Sequence, residues 1–330
     1  MYARLRPWLF RLDPERAHAA TLRLLQLVGA LPPLAAMLRK FYAPATSSPV
    51  TLFGLKFTNP VGLAAGYDKD GLALRGLACL GFGHVEIGTV TPRPQPGNPR
   101  PRVFRLVRDQ ALINRLGFPS RGADFVAARL RGSRPKDLIL GVNLGINKDT
   151  NLERAADDYK IMMQSFSSLA DYLTINISSP NTPGLRLLHQ GRLLSDVLGE
   201  ISPYKTTPLL VKLSPDLSDA QLNETLDTLL QHKVDGVIAT NTTLSRPDLA
   251  DPAGKEAGGL SGAPLATLSR HLVGRIYTRT QGLLPIVAAG GILSRQDADA
   301  AINAGASLVQ IYTGLVYRGP GLVREILGGD

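Results

Sequence analysis

From residue 50 onward, short apolar, β-prone runs recur with helix-like segments between them: Val61 to Ala65, Val85 to Thr89, Leu138 to Leu144, Tyr172 to Ile177, Leu209 to Leu213, Gly236 to Thr240, Pro285 to Ala289 and Leu308 to Tyr312. Strands alternating with helices imply parallel pairing through right-handed crossovers. Eight such units predict an α/β fold closed as a (β/α)8 TIM barrel rather than an open sheet. No internal repeat accompanies the pattern, so the prediction rests on the runs themselves. Two intervals are longer than the rest. Residues 90–120 are proline-rich and contain two brief β-like runs, Val103 to Leu106 and Ala111 to Ile113, and residues 241–262 are polar and glycine-rich. Long loops in a compact domain tend to carry function.

Ahead of the barrel the periodicity becomes helical. Asp13-Pro14-Glu15 reads as an N-cap, a first-turn proline and a first-turn acid, opening a helix that runs to about Val28 before Gly29. A second short helix follows Pro32 and Pro33 and carries Leu34, Met37, Leu38 and Phe41. The expected organisation is therefore a helical hairpin extension over residues 1–45 and a barrel over 46–330. The longest charge-free run within the hairpin helices, Leu24 to Leu38, has 15 residues and two internal prolines, too short and too broken to span a bilayer.

Charge changes the reading of that hairpin. The 330-residue chain carries a net charge of +10, and residues 1–40 hold seven basic side chains against two acidic ones. A leucine-rich, arginine-edged element of this kind suits an anionic phospholipid interface. It also suits plain packing against the main domain. A transit peptide shares the arginine-rich composition, but the proline-capped helix and double proline read as retained structure, so no leader is expected. The single cysteine, Cys79, excludes an intrachain disulfide, and five scattered histidines without an HExxH-like pair give no reason to expect a metal.

Barrel enzymes place their chemistry at the carboxyl ends of the strands. There the chain carries Ala65-Gly66-Tyr67-Asp68-Lys69, then Thr89, Asn143, Asn176 with Ser179, Lys212, Thr240-Asn241-Thr242, Gly290-Gly291 and Tyr312-Thr313-Gly314. Glycines after the last two strands let backbone N–H groups approach a phosphate, and the lysines nearby are compatible with flavin mononucleotide, FMN. Lys212, at the end of an apolar run, is placed to stabilise the anion of a reduced flavin. An ordinary structural ion pair is the alternative. The stretch Asn176-Ile177-Ser178-Ser179-Pro180-Asn181-Thr182-Pro183-Gly184 is dense in uncharged donors and acceptors, suited to a neutral, amide-rich substrate, though turn chemistry alone produces similar stretches. Ser179 is a candidate base, with Thr182 orienting a relaying water. Serine is a poor proton acceptor, so that role demands desolvation and a relay. Strand alternation turns Ser178 the other way.

Taken together, Ala64 to Lys69, the run Thr91 through Gly97-Asn98-Pro99-Arg100-Pro101-Arg102, Asn114-Arg115-Leu116-Gly117-Phe118, Asn176 to Gly184, Thr240 to Thr243, Gly258 to Gly262 and Gly290-Gly291-Ile292 resemble the membrane-associated, quinone-reducing dihydroorotate dehydrogenases. The motifs span nearly the whole chain in order. The resemblance implies FMN-dependent oxidation of (S)-dihydroorotate to orotate in pyrimidine synthesis, with a membrane quinone as final acceptor. It implies Ser179 as the base, where the soluble class has a cysteine. It implies substrate contacts from Lys69, Asn114, Arg115, Leu116, Gly117, Phe118, Asn176, Asn181, Asn241 and Thr242. FMN contacts are implied for Ala65, Gly66, Tyr67, Asp68, Lys69, Thr89, Asn143, Asn176, Lys212, Thr240, Gly262, Gly291, Tyr312 and Thr313. The hairpin is similar to the quinone-tunnel extension, with His18 and Arg105 near the quinone head; an ordinary helix-face histidine and a solvent-facing arginine are the alternatives. Tyr67 departs from the apolar side chain of many relatives.

Two other readings differ in class. One is a flavin barrel reducing uracil in transfer RNA, favoured by the basic charge but lacking a cysteine at a strand end, since Cys79 falls in the Leu72 to Leu80 helical segment. The other is a non-catalytic basic protein binding membrane or nucleic acid on a barrel scaffold. With the resemblance, no nucleic-acid partner is expected, and the expected location is the cytoplasmic face of a bacterial inner membrane, or the mitochondrial inner membrane for a eukaryotic chain.

Overall fold

The computed structural model describes residues 2–44, 48–135, 137–182 and 184–329. The expected boundary between residues 45 and 46, and Pro183 of the serine loop, lie outside them. Two short strands, β1 (Val50–Leu52) and β2 (Leu55–Phe57), pair antiparallel. The chain continues through β3 (Val61–Leu63), β4 (His84–Val90), β5 (Val103–Leu106), β6 (Ala111–Asn114), β7 (Ile139–Leu144), β8 (Tyr172–Asn176) and β9 (Leu209–Leu213), then β10 (Gly236–Ala239), β11 (Gly259–Gly262), β12 (Ile286–Ala289) and β13 (Leu308–Ile311). Among the described residues β3, β4, β7, β8, β9, β10, β12 and β13 close a parallel barrel, with helices in the crossovers. These are the eight apolar runs of the sequence, shifted by at most two residues at an end. Burial on both faces explains why they read as continuous apolar stretches rather than alternating ones. Phe57, fully buried, packs with Tyr172, Leu210, Ile238, Val287 and Leu308 at the amino-terminal end of the barrel.

The two long intervals meet. β5 and β6 form the hairpin that their β-like runs suggested, and β11 adds to it, with Gly259 opposite Asn114 and Gly262 opposite Ala111. β11 was not expected from its Gly-Leu-Ser-Gly sequence, which has low strand propensity. Its first glycine is there for space, since a Cβ at Gly259 would lie 1.9 Å from Thr242 Oγ1.

Among the described residues the amino-terminal extension has three helices rather than two: α1 (Tyr2–Leu9), α2 (Pro14–Ala30) and α3 (Pro32–Tyr42). Asp13 caps α2 by accepting a hydrogen bond from Arg16 N at 3.0 Å, as its sequence predicted. Gly29 does not end that helix. It permits close packing instead, because a Cβ there would lie 2.4 Å from Gly76 N in α4 (Leu74–Ala78), while a Cβ at Gly76 would lie 2.1 Å from Leu25 O. Polar ties complete the docking: Tyr2 Oη donates to Val316 O at 2.6 Å, Arg6 to Tyr317 O at 3.0 Å, and Arg102 pairs with Glu15 at 3.0 Å.

The outer face of the extension is left apolar. Leu5, Trp8, Leu12, Leu24, Leu27, Leu31, Leu34, Met37 and Phe41 are all exposed, Trp8 to 66% and Leu27 to 62%. No single described helix is long and apolar enough to cross a membrane; α2 and α3 together pass that test but bend by 111°.

Candidate active site

A cavity with an empty volume of about 1110 Å³, part of it open to solvent, lies at the carboxyl ends of the barrel strands. Its floor is a hydrogen-bonded ladder of buried side chains. Asn176 Nδ2 donates to Thr89 Oγ1 and to Asn143 Oδ1, both at 3.0 Å, and Thr89 Oγ1 donates to the same Asn143 oxygen at 2.5 Å. Asn143 Nδ2 then donates to Glu86 Oε1 at 2.8 Å. The other carboxylate oxygen of Glu86 accepts from Gln310 Nε2 at 3.0 Å, Tyr172 Oη at 3.1 Å and Thr174 Oγ1 at 3.3 Å. A carboxylate accepts only, so this set of donors fixes the amide orientation of Asn143 and, through it, the cavity faces of Thr89 and Asn176.

Strand register sets Lys212 beside Asn176. Its ammonium is buried and, among the described residues, makes no hydrogen bond or ion pair; burial lowers its pKa, with the Glu86 charge opposing the shift. A buried cation without a partner calls for an anion or a strong acceptor in the cavity. The N–H groups of Gly290 and Gly291, also among the described residues, meet no protein acceptor, and both glycines line the cavity with Gly314. Gly291 holds φ 74, and a Cβ there would lie 2.2 Å from Ala266. These unused donors suit a phosphate, and Lys212 suits the electron-rich end of a planar ring.

On the other wall Ser179, only 5% exposed, accepts from Asn181 N at 3.2 Å. Ser178 turns away, donating to Asn176 Oδ1 at 3.2 Å and accepting from Asn241 Nδ2 at 3.0 Å. Asn114, Leu116, Gly117 and Phe118 reach the cavity from the end of β6 and the loop beyond it, and Asn181, Asn241 and Thr242 from the strand-end loops. Lys69 Nζ donates to Gly66 O at 2.5 Å. Burial, reinforced by Arg102, lowers the Lys69 pKa to about 8, against the opposing pull of Asp70, Glu15 and Asp68. Ala65, Gly66, Thr240, Gly262, Tyr312 and Thr313 complete the expected set around the cavity.

The match with known proteins is extensive. The family model described as dihydroorotate dehydrogenase matches residues 48–329. The chain belongs to the dihydroorotate dehydrogenase family. A protein of Acidithiobacillus ferrooxidans named dihydroorotate dehydrogenase (quinone) is 51% identical over 339 residues, covering 99% of this chain and 93% of that one. A Pseudomonas putida protein of the same name is 50% identical, covering 98% and 97%. The crystal structure of DHODH in complex with ferulenol from Eimeria tenella superposes with a TM-score of 0.88 at 39% identity, covering 97% of this chain and 92% of that one.

Several residues expected to contact ligand stand one step back from the cavity of this dihydroorotate dehydrogenase family member. Asp68 accepts from Leu72 N and Ala73 N, both at 2.7 Å, and so holds the turn that leads into α4; burial raises its pKa against those two bonds. Asn143 acts through Thr89 and Asn176. Arg115 turns outward, over the Phe104 ring at 4.5 Å and onto Glu256 at 2.7 Å, stapling β6 to the 241–262 segment. Tyr67 is buried behind Tyr312, ring centroids 5.7 Å apart, and meets His18 of α2 edge-on at 4.8 Å. His18, its pKa lowered to about 4 chiefly by burial and next by the Lys69 charge, is linked to the cavity through these two tyrosines and through Lys69. Arg105 is half-buried, not solvent-facing: it donates to Leu12 O at 2.7 Å and covers the Phe10 ring, between α1 and α2. Cys79 is buried outside the cavity and donates to Arg75 O.

No ligand contact was expected of Val103, Leu112, Ser261, Leu265, Ile292 and Gln310, which also line the wall. The sequence reading passed over Glu86, whose signal was present: a lone acid within an otherwise uncharged strand needs a partner network.

Proposed function

We propose that this protein oxidises (S)-dihydroorotate to orotate with FMN as the hydride acceptor and passes the electrons to a membrane quinone, within pyrimidine nucleotide synthesis. The observation that carries the reading is the convergence on one cavity of an unpaired buried lysine, two unused glycine N–H groups, a desolvated serine and four asparagines. FMN bound there supplies the hydride-accepting chemistry. Gly290 and Gly291 would hold its phosphate, and Lys212 would supply positive charge that favours its reduced form.

Lys69 meets the substrate carboxylate, and Asn114, Asn176, Asn181 and Asn241 match the donor and acceptor edges of the pyrimidine ring. Ser179 Oγ takes the proton lost from the ring carbon next to the one that gives up hydride. Burial excludes competing water, and relay of that proton outward keeps the serine neutral overall. Positioned proton transfer of this type contributes typically about 10² to 10⁴ in rate.

Quinone approaches from the extension. Its exposed apolar face, edged by exposed Arg4, Arg11, Arg16, Arg23, Arg39 and Lys40, fits insertion into an anionic phospholipid surface. His18 and Arg105 stand on the inner side of that extension, with Tyr67 between His18 and the cavity. The test is steady-state turnover. Purified protein should release FMN on denaturation and form orotate beyond one equivalent of enzyme only when dihydroorotate and a short-chain quinone are both present; a colourless protein, or one that forms no orotate, contradicts the reading.

A further inference from the structure

The loop that carries Ser179 is held by a side chain outside the cavity. Arg186 lies in the turn Leu185–His189, seven residues beyond Ser179, and its guanidinium spans three segments. Nε donates to Ser178 O at 3.2 Å, Nη2 to Thr242 O at 3.1 Å, and Nη1 to Asp216 Oδ2 at 2.8 Å. Asp216 in turn accepts from Thr243 Oγ1 and, at 2.9 Å, from Leu244 N. The carbonyl of Ser178 belongs to the peptide that supplies Ser179 N, and Thr242 is itself a cavity residue. Among the described residues Ser179 Oγ makes a single hydrogen bond, from Asn181 N within its own loop. On the cavity side Asn241 Nδ2 holds Ser178 Oγ at 3.0 Å and Asn181 Nδ2 donates to Asn114 Oδ1 at 3.3 Å; the fork behind the loop is what ties the Ser178 carbonyl itself to the Thr242 carbonyl and Asp216.

We propose that Arg186 is a positioning residue for proton abstraction, locking the Ser178–Ser179 peptide to the Asn241–Thr242 loop so that Ser179 Oγ faces the substrate. This rests on the reading of Ser179 as the base. The three acceptors lie around one planar group, a geometry that a lysine ammonium on a flexible stem does not reproduce. Small displacements of a reacting group are expensive in rate, on the order of 10²-fold for about 1 Å.

The experiment uses FMN-loaded enzyme and separates the two half-reactions. In R186A, anaerobic flavin reduction by dihydroorotate should slow roughly 10- to 100-fold in its limiting rate constant. FMN content and reoxidation of the pre-reduced flavin by quinone should stay as in the unaltered enzyme. Added guanidinium ion should restore part of the rate, because the Arg186 side chain is 23% exposed and its site is reachable. Amide hydrogen exchange in residues 177–182 should accelerate without exchange in the barrel strands changing.

Reduction of R186A at the unaltered rate, alongside slow reduction of S179A, overturns the role of Arg186 alone. Fast reduction of S179A overturns the reading of Ser179 and the clamp with it. Loss of FMN, or equal slowing of both half-reactions, makes Arg186 a structural residue and also overturns the proposal. Should R186A fail to fold, R186K, which keeps the charge on Asp216 but cannot span the three acceptors, is read by the same criteria.

Discussion

Two lysines with different surroundings divide the polar work of the cavity. Lys69 has a pKa lowered to about 8, so its ammonium is lost as pH rises through that value, and the carboxylate of the substrate then loses its partner. We expect kcat/KM for dihydroorotate to fall above about pH 8, kcat to fall less because bound substrate holds the proton on, and Lys69→Met to raise KM and flatten the pH profile. A pH–rate series on both proteins checks this; an unchanged profile in the variant would remove Lys69 from the substrate site. The sign for stability is opposite. The unfolded lysine binds its proton up to about pH 10.4, so between pH 8 and 10 this residue makes the apoprotein more stable as pH rises. Among the described residues Lys212 makes no ion pair, so Lys212→Met should leave the fold intact and lower the midpoint potential of bound flavin, on the order of tens of millivolts. A dye-coupled redox titration reads the shift, and no shift would place the flavin ring elsewhere. Glu86→Ala strips the acceptor from four donors buried in the barrel, each left unsatisfied at roughly 1–3 kcal/mol, and should lower both Tm and FMN content.

At the scale of elements, the parallel strands were legible because both faces are buried and each is a short uninterrupted apolar run. Side-chain direction was not. Asp68 and Arg115 stand in motifs that surround the cavity, yet one holds the turn ahead of α4 and the other staples β6 to a loop 141 residues later in the chain. α1 went unseen because Pro7 and the arginines at positions 4 and 6 break its periodicity. Gly29 reads as a helix stop by local rules but sits inside α2, since the constraint on it comes from Gly76, 47 positions later in the sequence. That contact gives a prediction. Gly76→Val drives a side chain into the Leu25 carbonyl and should destabilise the protein by roughly 1–3 kcal/mol, as overpacking does, with loosening confined to α2 and α4. Thermal melts and hydrogen exchange measure both; an unchanged Tm would mean that the two helices do not pack as described.

On the scale of the whole molecule the chain is a barrel that does its chemistry at one end, beside a helical extension that shows one polar-tied face to the barrel and one apolar, basic face outward. Removing the extension would uncover Tyr67 and α4, so substitution on the outer face is the cleaner probe. Leu24→Glu combined with Leu27→Glu should abolish binding to anionic phospholipid vesicles and leave flavin reduction by dihydroorotate unchanged, as read by vesicle sedimentation and anaerobic absorbance; undiminished sedimentation would assign that face to something other than lipid. The central claim is that one cavity receives electrons from dihydroorotate and gives them to quinone. The most direct test is to mix the purified protein anaerobically with dihydroorotate while following flavin absorbance, then to add a short-chain quinone. The flavin band should bleach and then recover; a yellow protein that dihydroorotate does not bleach would contradict the account.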